Sequence, residues 1–340
     1  MVANIKCIMK FLLIFGLLCN LLNPAKADVI ALKQRNVHVL KEAFNNVSNH
    51  ESAQYGHYWT QDQIDHYVLP PQEQIDDLLF EFEWCGMSCE QKSAAVVCDS
   101  YNVDCVYDRH NLIEFVELIT QNDTEAVPSR SVGDADGFVA REVMLELYNV
   151  TYPSVKNGAS VGAIEYQNSG GFSQTDLEQQ QQLNNQATRP INHSVGVNNG
   201  IMLETQLDVQ MMSQVADGVS VWYWGGRQWL YSFAVDFLNA SKVPDVISMS
   251  WGWSSRQQCM PGLGVCSHNM NASTYIRRTN EEYMKMGLRG VTITVSSGDA
   301  GAPGRTNENC AAGGLGTWAV NPAFPGSSPY VTSVGATYLV

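Results

Sequence analysis

Positive charge is what this 340-residue sequence has least of. It carries 20 Lys and Arg against 34 Asp and Glu, a net charge of −14 at pH 7 and a pI near 4.8. Such a surface repels phosphate, which argues against nucleic acid or an anionic membrane as the main partner. It suits a protein working in acid, where protonation relieves the self-repulsion of carboxylates. Long apolar runs are also missing: after the first 27 residues nothing reaches the roughly 18–20 apolar residues that span a bilayer. Charged residues make up 16% and hydrophobic residues 45%, a balance that excludes a disordered or fibrous chain. At roughly 150 residues per domain, the length predicts about two domains. No internal repeat is present, and the run Gln179–Gln182 reads as a solvated helix face.

The start of the chain reads as a secretory signal over residues 1–27. Lys6 and Lys10 precede the apolar run Phe11–Cys19, and Ala25-Lys26-Ala27 is a small-x-small cleavage site; the competing reading is an uncut anchor. Cleavage removes three lysines and no acid, which deepens the negative charge. Six Asn-x-Ser/Thr sequons follow, at Asn46, Asn122, Asn149, Asn192, Asn239 and Asn271, and predict a glycosylated protein of the secretory pathway. Seven cysteines remain after cleavage. In an oxidising compartment Cys85, Cys89, Cys98 and Cys105 favour local disulfides over a zinc cluster. Cys259 and Cys266 enclose a Gly/Pro-rich loop suited to a bridge, and Cys310 is left as a free thiol or as half of a bridge to a partner past Val340.

Two textures divide the chain. From Asp28 to about Asn122 it reads as a small α+β unit: Val37, Leu40, Ala43 and Phe44, then Ile75, Leu78, Leu79 and Phe82, recur at helical spacing. Tyr55–Thr60 is an aromatic turn ending in an N-cap at Thr60. Thr120–Asp136 is polar and aperiodic, an exposed linker open to proteolysis. Beyond it, apolar strands at 160–166, 220–224, 245–250, 290–296 and 330–334 alternate with helices at 175–183, 228–239 and 273–286. That order predicts a parallel sheet covered on both faces. Ligands in such sheets sit beyond the carboxyl ends of strands. Two of those ends, Ser250-Trp-Gly-Trp253 and Ser296-Ser-Gly-Asp-Ala-Gly301, carry reactive or large side chains; without further context Asp299 equally suits a turn cap.

A third feature is a pair of acids. Glu204 and Asp208 lie four apart on one helix face, β-carbons about 5–6 Å apart. First turns favour acids on electrostatic grounds alone, but Leu203, Leu207, Met211 and Val215 recur on the adjoining stripe, which predicts a core-facing neighbourhood. Trp222 and Trp224 share one face of their strand, and Trp251 and Trp253 are placed to line a substrate groove. Histidine offers little: past the linker only His193 and His268 occur, neither in a setting suited to a Ser-His-Asp triad.

Glu204-x3-Asp208, Val246-Ile-Ser-Met-Ser-Trp-Gly252, Ser296-Ser-Gly-Asp-Ala-Gly301 and Phe324–Thr337 together resemble the sedolisin family of serine-carboxyl peptidases. Ala31–Asn36 and Tyr55–Thr60 resemble that family's activation prodomain. The resemblance implies an α/β, subtilisin-like parallel sheet with helices on both faces behind a small α+β prodomain. The corresponding boundaries are 1–27 signal peptide, 28–122 prodomain, 123–137 linker with the cleavage site and 138–340 the front of the peptidase domain. It also implies that Glu204 is the general base for a serine, that Asp208 orients Glu204 and that Asp299 lines the oxyanion hole. A carboxylate base stays ionised in acid, where histidine is protonated, and Asp299 donates to an oxyanion only when protonated. The family's serine segment, Gly-Thr-Ser-Ala-Ser, does not occur here, and Ser254, Ser296 and Ser297 do not occupy its place. The nucleophile and the implied calcium ligands are therefore expected beyond Val340, and these 340 residues alone are expected to be inactive. The implied partners are peptide or protein substrates and the chain's own prodomain as inhibitor. The implied location is a lysosome, an acidic vacuole or the exterior. The competing reading is a secreted, non-catalytic homologue that keeps the prodomain to bind a peptidase.

Overall fold

A computed structural model describes residues 28–100, 102–107, 111–118, 140–150, 158–166, 171–198, 200–226, 229–259, 265–267, 271–299, 301 and 321–336. The expected signal segment, the linker, Asn122 and Cys310 lie outside them.

The amino-terminal domain runs β1 (Asp28–Leu32), α1 (Val37–Ser48), α2 (Gln61–Val68), α3 (Gln72–Trp84), β2 (Cys89–Lys92), β3 (Ala95–Cys98), α4 (Val103–Tyr107) and β4 (Ile113–Leu118). Its strands pair antiparallel in the order β4-β1-β3-β2. Strand alternation gives this sheet two apolar faces. Ile30, Leu32, Val96 and Val116 pack with Ile75, Leu78 and Phe82 of α3, while Val29, Ala31, Ala95 and Phe115 turn toward the second domain. Thr60 caps α2 in a capping box: its side chain accepts from Gln63 N–H, and Gln63 Oε1 accepts from Thr60 N–H at 2.8 Å. Disulfides Cys85–Cys105 and Cys89–Cys98 staple the far edge and take up all four cysteines of the cluster. Such bridges contribute about 2–4 kcal/mol each.

The second domain follows as α5 (Arg141–Leu147), β5 (Ser160–Glu165), α6 (Gln174–Leu183), β6 (His193–Val195), α7 (Leu203–Val215), β7 (Ser220–Gly225), α8 (Leu230–Asn239) and β8 (Val246–Met249). It continues through β9 (Trp253–Ser254), β10 (Val265–Ser267), α9 (Ala272–Leu288), β11 (Thr292–Ser296), β12 (Ala323–Phe324) and β13 (Thr332–Val334). Six strands form one parallel sheet in the order β13-β11-β8-β5-β7-β6. On one face Val209 of α7 packs with Ala163, Phe172 and Tyr223. On the other, α8 and α9 bury Phe233, Phe237, Tyr275, Tyr283 and Met286 against Ile164, Trp224, Ile247 and Ile293. Trp222 is buried too, stacked on His193 at 4.0 Å between ring centroids.

Three findings depart from expectation. Gln181, inside the run read as a solvated helix face, is buried, its amide donating to Arg189 O and Ser213 Oγ. Leu203 and Leu207 are 74% and 50% exposed, so the stripe beside Glu204 is not core-facing; the buried face of α7 carries Thr205, Val209 and Ser213 instead. In addition, β10, from the loop after Cys259, leaves the second domain's sheet and pairs antiparallel with β4, adding a fifth strand to the amino-terminal sheet. Cys259 itself is disulfide-bonded.

Candidate active site

The central strands β5, β8 and β11 are parallel neighbours, so their carboxyl ends open on one edge of the sheet. Glu165 closes β5, Ser250 follows β8, and Asp299 lies three residues past β11. Helix α7 delivers Glu204 in its first turn and Asp208 one turn later. Both acids are half-buried, and Asp299 is exposed. Burial raises the pKa of Glu204, and the charges of Asp208 and Asp299 raise it further. The three acids singled out from sequence are therefore electrostatic neighbours.

Sequence reasoning passed over Glu165. It ends the buried run Gly162-Ala163-Ile164, is 1% exposed, and its Oε2 accepts a 2.7 Å hydrogen bond from Trp251 Nε1–H. Burial, then the charge of Asp208, pushes its carboxyl up to about 8. Asp208 is raised by burial and held back by hydrogen bonds to Ser250 and Glu165. Thr205 also lies against Glu165, and Glu165 Oε1 and Asp208 Oδ2 are both buried with no hydrogen bond of good geometry. A proton held by Glu165 at its raised value can be donated toward Asp208. The signal that could have found Glu165 is an acid closing an otherwise apolar strand at its carboxyl end.

Trp251 is thus committed by its ring nitrogen to Glu165 and meets Tyr166 edge-on at 6.2 Å. Trp253, in β9, is half-buried and pairs with Phe324 of β12. Of the candidate hydroxyls, Ser254 is buried, whereas Ser296 and Ser297 are exposed. Among the described residues no group of three or more His, Cys, Asp or Glu side chains is placed to hold a metal ion. Sequon residues Asn46, Asn149, Asn192, Asn239 and Asn271 are exposed.

Residues 28–93 match the family model described as pro-kumamolisin, activation domain. Over an alignment of 345 positions the chain is 29% identical to physarolisin of Physarum polycephalum, taking in 91% of this chain and 59% of that protein. It is 32% identical over 151 residues to tripeptidyl-peptidase 1 of Rattus norvegicus and of Homo sapiens, 40% of this chain and 22% of theirs. A solved Pseudomonas sedolisin, complexed with pseudo-iodotyrostatin, overlaps with a TM-score of 0.41 at 24% identity, over 54% of this chain and 49% of that one. The chain spans little more than half the length of physarolisin and about a fifth of tripeptidyl-peptidase 1 in these alignments. Residues 28–93 thus match an activation domain, and along most of its length the chain is similar to physarolisin.

Proposed function

We propose that the chain belongs to the precursor of an acid-active serine-type peptidase that uses a Ser-Glu-Asp triad. Glu204 is the general base, Asp208 holds and orients it, and Asp299, protonated, donates to the oxyanion of the tetrahedral intermediate. Trp251 and Trp253 line the substrate groove. The nucleophile serine and the calcium ligands are assigned to residues outside these 340. The observation that carries this reading is the electrostatic convergence of Glu204, Asp208 and Asp299 at the carboxyl ends of adjacent parallel strands. A base on a carboxylate with raised pKa works in mild acid, ionised enough to accept a proton and basic enough to hold it.

Residues 28–122 act as the inhibitory prodomain, cut within 123–137. The sequons at Asn46, Asn122, Asn149, Asn192, Asn239 and Asn271 carry glycans, and the mature enzyme works in a lysosome, an acidic vacuole or outside the cell. Its substrates are peptides, cut either as tripeptides from a free amino terminus or internally. Hydrolysis of one unblocked and one N-blocked peptide by the complete protein at pH 3–6 separates those two modes. In the same assay Glu204→Ala is expected to lower turnover by at least about a thousandfold. Wild-type turnover in that variant refutes the triad, and an inactive complete protein supports a binding role instead.

A further inference from the structure

The last carbonyls of a helix find no partner inside it. At the end of α9 a Schellman turn meets two of them, Val291 N–H donating to Met286 O at 3.1 Å and Gly290 N–H to Gly287 O at 3.0 Å. The next, Leu288 O, is met from the amino-terminal domain: Trp59 N–H, in the aromatic turn before α2, donates to it at 2.8 Å. Around that bond Leu40 and Val47 of α1 and Ile64 and Val68 of α2 bury against Met284 and Leu288 of α9. Two glycines shape the seat. Gly290 stands in the left-handed conformation, φ 88°, which the turn itself requires. Gly287 has no such reason, because it lies within the helix, where glycine is the poorest residue short of proline. What it meets is Phe44. A β-carbon on Gly287 would overlap the Phe44 ring, and one on Gly290 would lie 2.7 Å from the ring of Tyr58. Phe44 in turn meets Tyr330 edge-on at 5.2 Å between ring centroids.

We propose that the notched end of α9 is the seat by which the parallel-sheet domain recognises the activation domain, with Phe44 at Gly287, Tyr58 at Gly290 and Trp59 closing Leu288 O. The partner it fits is an amino-terminal domain that presents this aromatic set from α1 and from the turn before α2. All three aromatic residues lie within residues 28–93, inside the matched activation domain. Recognition here is steric: the seat admits a ring where any residue with a β-carbon would hold it off. Phe44 and Trp59 are half-buried in the seat, and Tyr58, 54% exposed, forms its rim. The turn Tyr55–Thr60 therefore does two things. Its last residue caps α2, and its aromatic residues carry the contact.

The inference rests on reading residues 28–93 as an activation domain and is independent of the triad. Gly287→Ala is the test, because its two effects have opposite signs. On α9 alone the change improves helix propensity, by a factor of about five. With Phe44 seated it overpacks the contact, at a factor of about ten or more. Hydrogen exchange of the full chain at the Trp59 amide, referenced to amides of β5 and β8 paired inside the parallel sheet, reads the opening of the seat. Opening at Trp59 is expected to rise about tenfold or more in Gly287→Ala. In a Phe44→Ala background, which vacates the notch, the same change is expected to leave it unchanged or to lower it. Trp59 exchange in Gly287→Ala that is equal to or slower than wild type overturns the seat, and an equal rise in both backgrounds overturns its dependence on Phe44. If Gly287→Ala does not fold, recovery of the fold in the double variant with Phe44→Ala supports the seat, and no recovery overturns it. Failure of the triad would appear elsewhere, as unchanged turnover in Glu204→Ala.

Discussion

Glu165 gives the sharpest test of the candidate site. Its carboxyl sits at about 8 in the folded chain against 4.5 for an ordinary glutamate. Between those values the folded state keeps a proton that the unfolded state gives up. Stability from this group is complete below 4.5 and drains away as pH rises through about 8, at roughly 1.4 kcal/mol per pH unit. The whole window amounts to about 5 kcal/mol, of which pH 4.5 to 8.5 samples about 4, a large part of the 5–15 kcal/mol that typically holds a domain together. Glu165→Gln keeps the acceptor for Trp251 Nε1–H and the donor toward Asp208 but has no proton to lose. Urea unfolding at pH 4.5, 6.5 and 8.5 is expected to show wild type and variant within about 1 kcal/mol in acid and diverging by about 4 kcal/mol in base. Parallel loss in both proteins would show that Glu165 is ionised in the fold, and the shared proton with Asp208 would fall with it.

Two further outcomes follow from the same geometry. Asp208→Asn removes one of the charges that hold the Glu204 pKa up, after burial itself. Since the base works ionised, the acid limb of the kcat/KM profile of the complete protein is expected to move to lower pH, beyond any fall in rate; an unmoved limb detaches Asp208 from Glu204. Arg278 is fully buried, with Nε to Glu282 at 2.9 Å, Nη1 to Leu32 O at 2.6 Å and Nη2 to Ala94 O at 2.9 Å. Arg278→Ala takes a charged partner from Glu282 and Glu114, leaving Glu282 to Lys285 and Gln34, and removes a donor from Leu32 O and Ala94 O, a loss of about 3 kcal/mol. Thermal unfolding reads it, and a change below about 1 kcal/mol would mean that solvent replaces those contacts.

The sequence was most legible where a local rule acts alone. Thr60 with Gln63 three residues on is a capping signature, and helix spacing around Leu40 and Ile75 marked buried faces that the fold uses. Strands at 160, 220, 246 and 292 announced themselves as apolar runs between helices. Non-local partners were not legible. Nothing near Val265 says that this strand joins β4, almost 150 residues earlier. Leu203 and Leu207 mimic a buried stripe because spacing records which residues share a face, not what that face meets. Glu117 and Glu165 look like ordinary strand acids, since burial of a carboxyl depends on donors from elements far away in the chain: Ser232 and Tyr275 for one, Trp251 for the other.

Those two acids also recast the argument from net charge. A charge of −14 relaxes in acid whatever the fold. Glu117 and Glu165 instead require it locally, because each is buried with its pKa above the ordinary value and each stabilises the chain only while it holds its proton. The opposing limit comes from Glu282. Burial works against its charge, but Lys285 and then Arg278 override that and hold its carboxyl below the ordinary value. Its contribution is present above 4.5 and disappears as pH falls through the lowered value, taking with it the ion pairs inside α9 that compensate buried Arg278 and Lys285. Buried acids that need a proton and a buried acid that must not have one confine greatest stability to a window between them, on the acid side of neutrality. That window is set by Trp251, Ser232, Tyr275, Lys285 and Arg278, and it holds whichever residue supplies the nucleophile.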